Sequence, residues 1–318
     1  MSDLKRYLAV ERRVFAHFGL TPREHMVTLR RVGAKARLLD IGQGDPLLFL
    51  AGGPNVAATF APLLPELSGF RLLLLDRPGT GVSEPLPVPP NARRLPGYLV
   101  ELVADVLDEL SLARADVMGS SLGGSAALRA AAALPQRIGR LVLLGCPAFV
   151  PGWRQPSFFN LLRTPLVGDL LVRLPAGRAD ALRFLRGMGS GTSLESGRIP
   201  DLVLDLIAAW MADTKTMRND AAMIRACGTL AGGFAAELDL TPRDLSQVLA
   251  PVLAIAGTED PVGGAEVVRA FAAAMPEGKV VAIEGAGHLP WLDDPAAVGR
   301  AVREFMGEEV AAASRRSA

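Results

Sequence analysis

The sequence predicts an α/β fold, a mostly parallel, doubly wound sheet with helices on both faces, carrying an inserted helical cap. Two observations carry that prediction. Short, almost wholly apolar runs such as "PLLFLAG", "FRLLLLD" and "APVLAIAG" alternate with segments at helical spacing, and strands apolar throughout belong to sheets covered on both faces. The alternation lapses between residues 148 and 245, where helical patterns follow one another without a convincing strand.

Taken in order, residues 3–18 read as an amphipathic helix with Leu4, Leu8, Val14, Phe15 and Phe18 near its spacing, so residues 1–20 are expected to be a packed extension. "HMVTLRRV", "ARLLDIG", "PLLFLAG" and "FRLLLLD" read as strands, the third ending in a Gly/Pro turn. Residues 95–112 place Leu99, Val103, Val106 and Leu110 on one helical stripe. "ADVMG", "RLVLLG", "APVLAIAG" and "KVVAIEG" continue the strand series, with helices near 264–275 and 295–306. The core is thus expected over 1–147 and 246–318, and the cap over 148–245. Within the cap, "GMGSGTSLESG" reads as a flexible hinge between two helical stretches.

Half of the residues are apolar and the formal net charge is +1, which argues against nucleic acid, an anionic membrane surface or a disordered chain. The expected partner is a small molecule. Cys146 and Cys227 form neither a metal-ligand spacing nor a disulfide framework, which suits a reducing, cytoplasmic location. Glu11, Arg12 and Arg13 stand where a signal peptide would be apolar, and no apolar run reaches the length of a membrane span.

The chemistry centres on "VMGSSLGGSAAL", where an apolar run ends in serines between glycines and opens an Ala/Leu-rich helix. In a strand-to-helix turn that lifts a serine nucleophile, the backbones approach so closely that the positions two before and two after must be small. Ser121 has Gly119 and Gly123 there; Ser120 has Met118 and Leu122, and Ser125 lies a turn inside the helix. A serine hydroxyl needs a base held by a third group. Of the three histidines, His17 and His25 fall in the extension and the first strand, whereas His288 follows the last strand, at the same sheet edge as the turn. "AGTEDPVGG" offers the orienting acid as Glu259 or Asp260, and Asp260, preceding Pro261 at the turn, is favoured.

With Ser121, Asp260 and His288 in that chain order, the sequence resembles the α/β-hydrolase superfamily, in its capped branch of esterases, lactonases and C–C bond hydrolases. "LAGGPN" is similar to the family's oxyanion turn, "LDRPGTGVSE" to its Asp-x-x-Gly-x-Gly-x-Ser loop and "GAGHLPWLDDP" to its histidine loop. The resemblance implies an acyl-enzyme mechanism, with the backbone N–H groups of Gly53 and Leu122 as oxyanion donors and no cofactor or metal. Ala51 stands where the family usually has a histidine, and a serine nucleophile does not match relatives that use aspartate. Asp76, Arg77, Gly79, Gly81 and Ser83 are read as a structural turn beside the oxyanion loop. Trp153, Phe158, Phe159, Trp210, Met211 and Met217 are candidates for an apolar pocket wall or for inter-helix packing. The expected substrate is an ester, thioester or lactone with an apolar acyl part; C–C cleavage of a diketone and a non-catalytic apolar-ligand scaffold are the alternatives.

Overall fold

The structure is a computed structural model that describes residues 3–164, 166–229 and 232–316. β1 (Arg23–Leu29) and β2 (Ala34–Gly42) form an antiparallel hairpin that closes at Gly33, whose φ of +76° suits a residue without a Cβ. β3 (Asp45–Leu50) lies parallel to β4 (Phe70–Asp76), and β4 also pairs antiparallel with β2. β5 (Ala115–Ser120), β6 (Ile138–Leu144), β7 (Val252–Gly257) and β8 (Gly278–Ile283) extend the sheet with parallel neighbours. The strand order is β1-β2-β4-β3-β5-β6-β7-β8.

α1 (Asp3–His17) precedes the sheet, and α2 (Leu95–Glu109) and α3 (Leu122–Ala133) follow β4 and β5. Between β6 and β7 come α4 (Phe158–Arg163), α5 (Val167–Leu171), α6 (Arg178–Gly187), α7 (Gly191–Glu195), α8 (Asp201–Asp213), α9 (Thr216–Cys227) and α10 (Pro242–Ser246), with no strand of the sheet among the described residues there. α11 (Ala265–Ala272), α12 (Pro290–Asp293) and α13 (Pro295–Arg316) complete the order.

Period-two alternation in the central strands sorts their side chains onto two buried faces. Leu48, Leu50, Leu73, Leu75 and Val117 join the cluster that includes α2 and α3. Leu47, Phe49, Leu72, Leu74 and Met118 join the opposite one, which includes Phe60, Trp210, Trp291 and residues of α1. Because both faces are covered, these strands read as unbroken apolar runs rather than as alternating ones.

Two local expectations differ from what forms. In α1 the buried residues are Tyr7, Glu11, Val14 and Phe15, while Leu4 is 40% exposed. Glu11 is anchored across the fold: its carboxylate accepts from Tyr7 Oη at 2.6 Å and from Arg37 Nη1 and Nη2 at 2.8 and 2.6 Å, and Arg37 also donates to Asp76. A long-range ion pair outweighs the local apolar stripe, because a buried arginine left unpaired costs several kcal/mol.

The segment read as a hinge, residues 187–197, is instead half helical and docked on the core. The His288 N–H donates to the Met188 carbonyl at 2.7 Å, and Ser190 Oγ donates to Asp293 at 3.2 Å. A methyl group on Gly189 would meet the Glu259 carbonyl oxygen at 2.2 Å. Gly189 serves close approach there, whereas nothing lies within 4 Å of a methyl group on Gly187, Gly191 or Gly197.

Candidate active site

β5 ends at Ser120 and α3 begins at Leu122, leaving Ser121 alone at the corner with φ +52° and ψ −114°. A non-glycine residue at positive φ is strained, and such strain persists only where its surroundings over-determine it. Here the glycines make the corner. A methyl group on Gly123 would lie 2.0 Å from the Leu50 carbonyl oxygen, one on Gly119 2.4 Å from the Gly123 carbonyl oxygen, and one on Gly52 2.8 Å from Ser121 Cβ. Gly123→Ala is therefore expected to cost roughly 3 kcal/mol or more of stability, since neither backbone can yield. Gly187→Ala, where nothing lies within 4 Å, is the control and should change stability by under about 1 kcal/mol. Thermal unfolding checks both, and equal midpoints would contradict the close approach.

The neighbouring serines face elsewhere. Ser120 is buried with no partner for its hydroxyl among the described residues, and Ser125 is buried with its Oγ accepting from Arg129 Nε at 3.3 Å. Ser121 borders a cavity with about 500 Å3 of empty space, counting its open mouth.

Asp260 follows β7 and His288 follows β8, beyond the same ends of the parallel strands as Ser121. His288 Nδ1 and Asp260 Oδ2 are 2.8 Å apart, with both residues buried. Backbone donors fill the rest of the carboxylate: the Cys146 N–H at 3.0 Å on Oδ2, and the Val262 and Gly263 N–H groups at 2.8 and 3.4 Å on Oδ1. A carboxylate so held presents one fixed acceptor to the ring, which sets its tautomer and leaves Nε2 for other partners. The ring lies over the end of β6, because a methyl group on Gly145 would sit 3.2 Å from Nδ1. Glu259, the alternative acid, points outward and accepts from Thr192 Oγ1. No hydrogen bond joins Ser121 Oγ to the ring among the described residues; such contacts commonly tighten only when substrate binds.

Gly53 and Leu122 both line the Ser121 cavity, and their N–H groups donate to no protein acceptor among the described residues. The wall also carries Phe149, Trp153, Phe159, Met223, Ile224 and Phe234. Of the residues proposed from sequence, then, Trp153 and Phe159 reach this cavity. Phe158, Met211 and Met217 line a second one beside Pro54, and Trp210 is fully buried against Phe184 in the core. Helical spacing marks a residue as inward-facing without saying which interior it meets. Cys227 is the thiol on the wall; burial pushes its pKa up to about 12, so it stays protonated.

Two carboxylates around the site, Asp293 and Asp220, were not singled out by sequence. Asp293 accepts from the Gly287 N–H at 2.9 Å and from Ser190, tying the histidine loop to the segment before α7, and burial raises its pKa above the ordinary range. Asp220 on α9 receives Arg77 Nη2 on both oxygens at 2.6 Å and lines the Ser121 cavity; burial raises its pKa too, against the pull of Arg77. Asp76, read as part of a turn, also joins the Arg37 cluster. The signal for Asp220 was available: it sits three residues after Met217 and four before Ile224, an acid on an apolar helical stripe.

A family model for the alpha/beta hydrolase fold matches residues 45–295. The chain belongs to that family, and is a hydrolase of it. It is 30% identical over 269 residues to a pimeloyl-[acyl-carrier protein] methyl ester esterase of Xanthomonas oryzae pv. oryzae, covering 84% of this chain and 96% of that one. It is 26% identical over 288 residues to a 2-hydroxy-6-oxononadienedioate/2-hydroxy-6-oxononatrienedioate hydrolase of Cupriavidus pinatubonensis, covering 84% and 89%. The carboxylesterase CesB of Bacillus subtilis has the same fold, with a TM-score of 0.71 at 20% identity over 96% of this chain and 98% of that one. No helix among the described residues is long and apolar enough to cross a membrane.

Proposed function

We propose that the protein is a cofactor-independent serine hydrolase that cleaves an ester, thioester or lactone with an apolar acyl part. The observation that carries this reading is a serine held at positive φ on the wall of a largely apolar cavity, beside a buried His288–Asp260 pair at 2.8 Å. Ser121 Oγ attacks the acyl carbon as its proton passes to His288 Nε2, and Asp260 stabilises the imidazolium that forms. The oxyanion receives the N–H groups of Gly53 and Leu122, the latter at the positive end of α3. His288 then protonates the leaving group, and water, activated by the same imidazole, releases the acyl chain. The segment between β6 and β7 acts as a cap that supplies most of the pocket's apolar wall.

Two relatives differ in the substrates they are named for, and the lining of the cavity supports one of them over the other. A dioate carries two carboxylates, which call for cationic partners. Among the described residues lining the Ser121 cavity the charged side chain is Asp220, an acid whose oxygens already hold Arg77. That wall favours an uncharged acyl group and an ester over a dianionic C–C substrate.

Burying methylenes contributes about 0.8 kcal/mol each, so kcat/KM for p-nitrophenyl esters should rise by up to roughly fifteenfold for each two carbons until the cavity fills. Acetate is expected to be poorer than butyrate or hexanoate. Acetate as the best substrate of the series would remove the apolar pocket from the account. If no ester is hydrolysed while Ser121 still reacts with a fluorophosphonate, the nucleophile is competent and C–C cleavage becomes the better reading.

A further inference from the structure

The turn Ala51-Gly52-Gly53-Pro54 poses a problem for an oxyanion donor. Before Pro54 it has no side chain larger than a methyl group, and consecutive glycines have the freest backbone of any residues. An oxyanion donor, however, works by being fixed before the charge develops. The turn's own side chains do little to brace it, and a small void of about 10 Å3 lies behind, bordered by Leu50, Ala51, Arg77 and Leu122.

The nearest atoms to a methyl group on Gly53 would be Arg77 Nη2 at 3.2 Å and Asp220 Oδ2 at 3.3 Å. A buried ion pair thus occupies the side of Gly53 from which a side chain would project. Its halves come from different parts of the fold, Arg77 from the loop after β4 and Asp220 from α9. α9 is stitched to that loop again where the Gly81 N–H donates to Thr216 Oγ1 at 3.0 Å, and Lys215 pairs with Glu84 at 2.8 Å. A buried ion pair seldom repays its desolvation in stability, so its presence here calls for another reason.

We propose that Arg77 and Asp220 are positioning residues for the Gly53 oxyanion donor, so that the cap, through α9, completes the catalytic site rather than merely roofing the pocket. This rests on the serine-hydrolase reading above. The pair acts through Gly53 and touches no reacting atom; what it contributes is a fixed direction for one N–H.

The test separates this role from simple support of the fold. The double variant Arg77→Met/Asp220→Leu replaces the ion pair by apolar groups, which commonly keeps or raises stability. It is expected to unfold within a few degrees of wild type, yet to phosphonylate at Ser121 and turn over p-nitrophenyl butyrate 10- to 100-fold more slowly, with KM within about threefold. Asp116→Asn, which weakens the Asp116–Arg140 ion pair at the opposite end of β5 from Ser121, should lower the unfolding temperature and leave kcat unchanged. A folded double variant with wild-type kcat and labelling rate, or with only KM altered, overturns the inference alone. If the double variant does not fold, Asp220→Asn is read by the same split: a fall in kcat supports the inference, and an unchanged kcat overturns it. A wild-type protein that neither turns over nor is labelled overturns the hydrolase reading and this inference with it.

Discussion

Replacing Ser121 by alanine is expected to lower kcat/KM for any ester the protein hydrolyses by on the order of 10⁵-fold, with little change in unfolding temperature. The size follows from covalent catalysis: without Oγ no acyl-enzyme forms, and only substrate binding and the oxyanion donors remain to assist water. Fold stability should hold, because alanine tolerates the corner about as well as serine and Ser121 Oγ makes no hydrogen bond that would be lost among the described residues. Ser120→Ala and Ser125→Ala, whose hydroxyls are buried away from the cavity, should stay within about tenfold of wild type. Comparable loss from Ser120→Ala in a folded protein would mean that the nucleophile has been misassigned.

His288→Ala should cost nearly as much as Ser121→Ala, and the double variant little more than either, because the two side chains serve one proton transfer. Asp260→Asn should cost on the order of 10⁴-fold, since the amide can hold the ring in the wrong tautomer. Asp260 is better held than the ring needs for orientation alone: its carboxylate accepts three backbone N–H groups besides His288 Nδ1. That rigidity predicts that removing the carboxylate also loosens the loop from Val262 to Gly263, so Asp260→Ala should be less stable than Asp260→Asn. Additive losses for the Ser121/His288 pair, measured on kcat, would contradict a shared step.

What the sequence made legible follows from where the information lies. The strand runs and the glycine-flanked Ser121 are local, because one corner of backbone needs Gly119 and Gly123 whatever the rest of the fold does. The choice of Asp260 over Glu259 rested on Pro261 and the turn; in the fold Asp260 faces the histidine and Glu259 faces Thr192. Long-range pairings were not legible. Glu11 with Arg37 joins α1 to β2, and Arg77 with Asp220 joins a core loop to α9, and in neither case does spacing along the chain reveal the partner. The same limit applies to the segment between β6 and β7. Its apolar residues were recognisably inward-facing, but whether Phe159 or Phe158 meets the Ser121 cavity depends on how short helices pack, and glycine-rich "GMGSG" is docked against the histidine loop where composition alone suggested a hinge.

The most direct test of Ser121 as the nucleophile needs no substrate. Native protein is incubated with a fluorophosphonate, and intact mass and peptide mapping locate the adduct. The account predicts one phosphonyl group per chain, on Ser121, with labelling absent in Ser121→Ala and greatly slowed in His288→Ala. An unlabelled folded protein, or an adduct on Ser120 or Ser125 in its place, would contradict it.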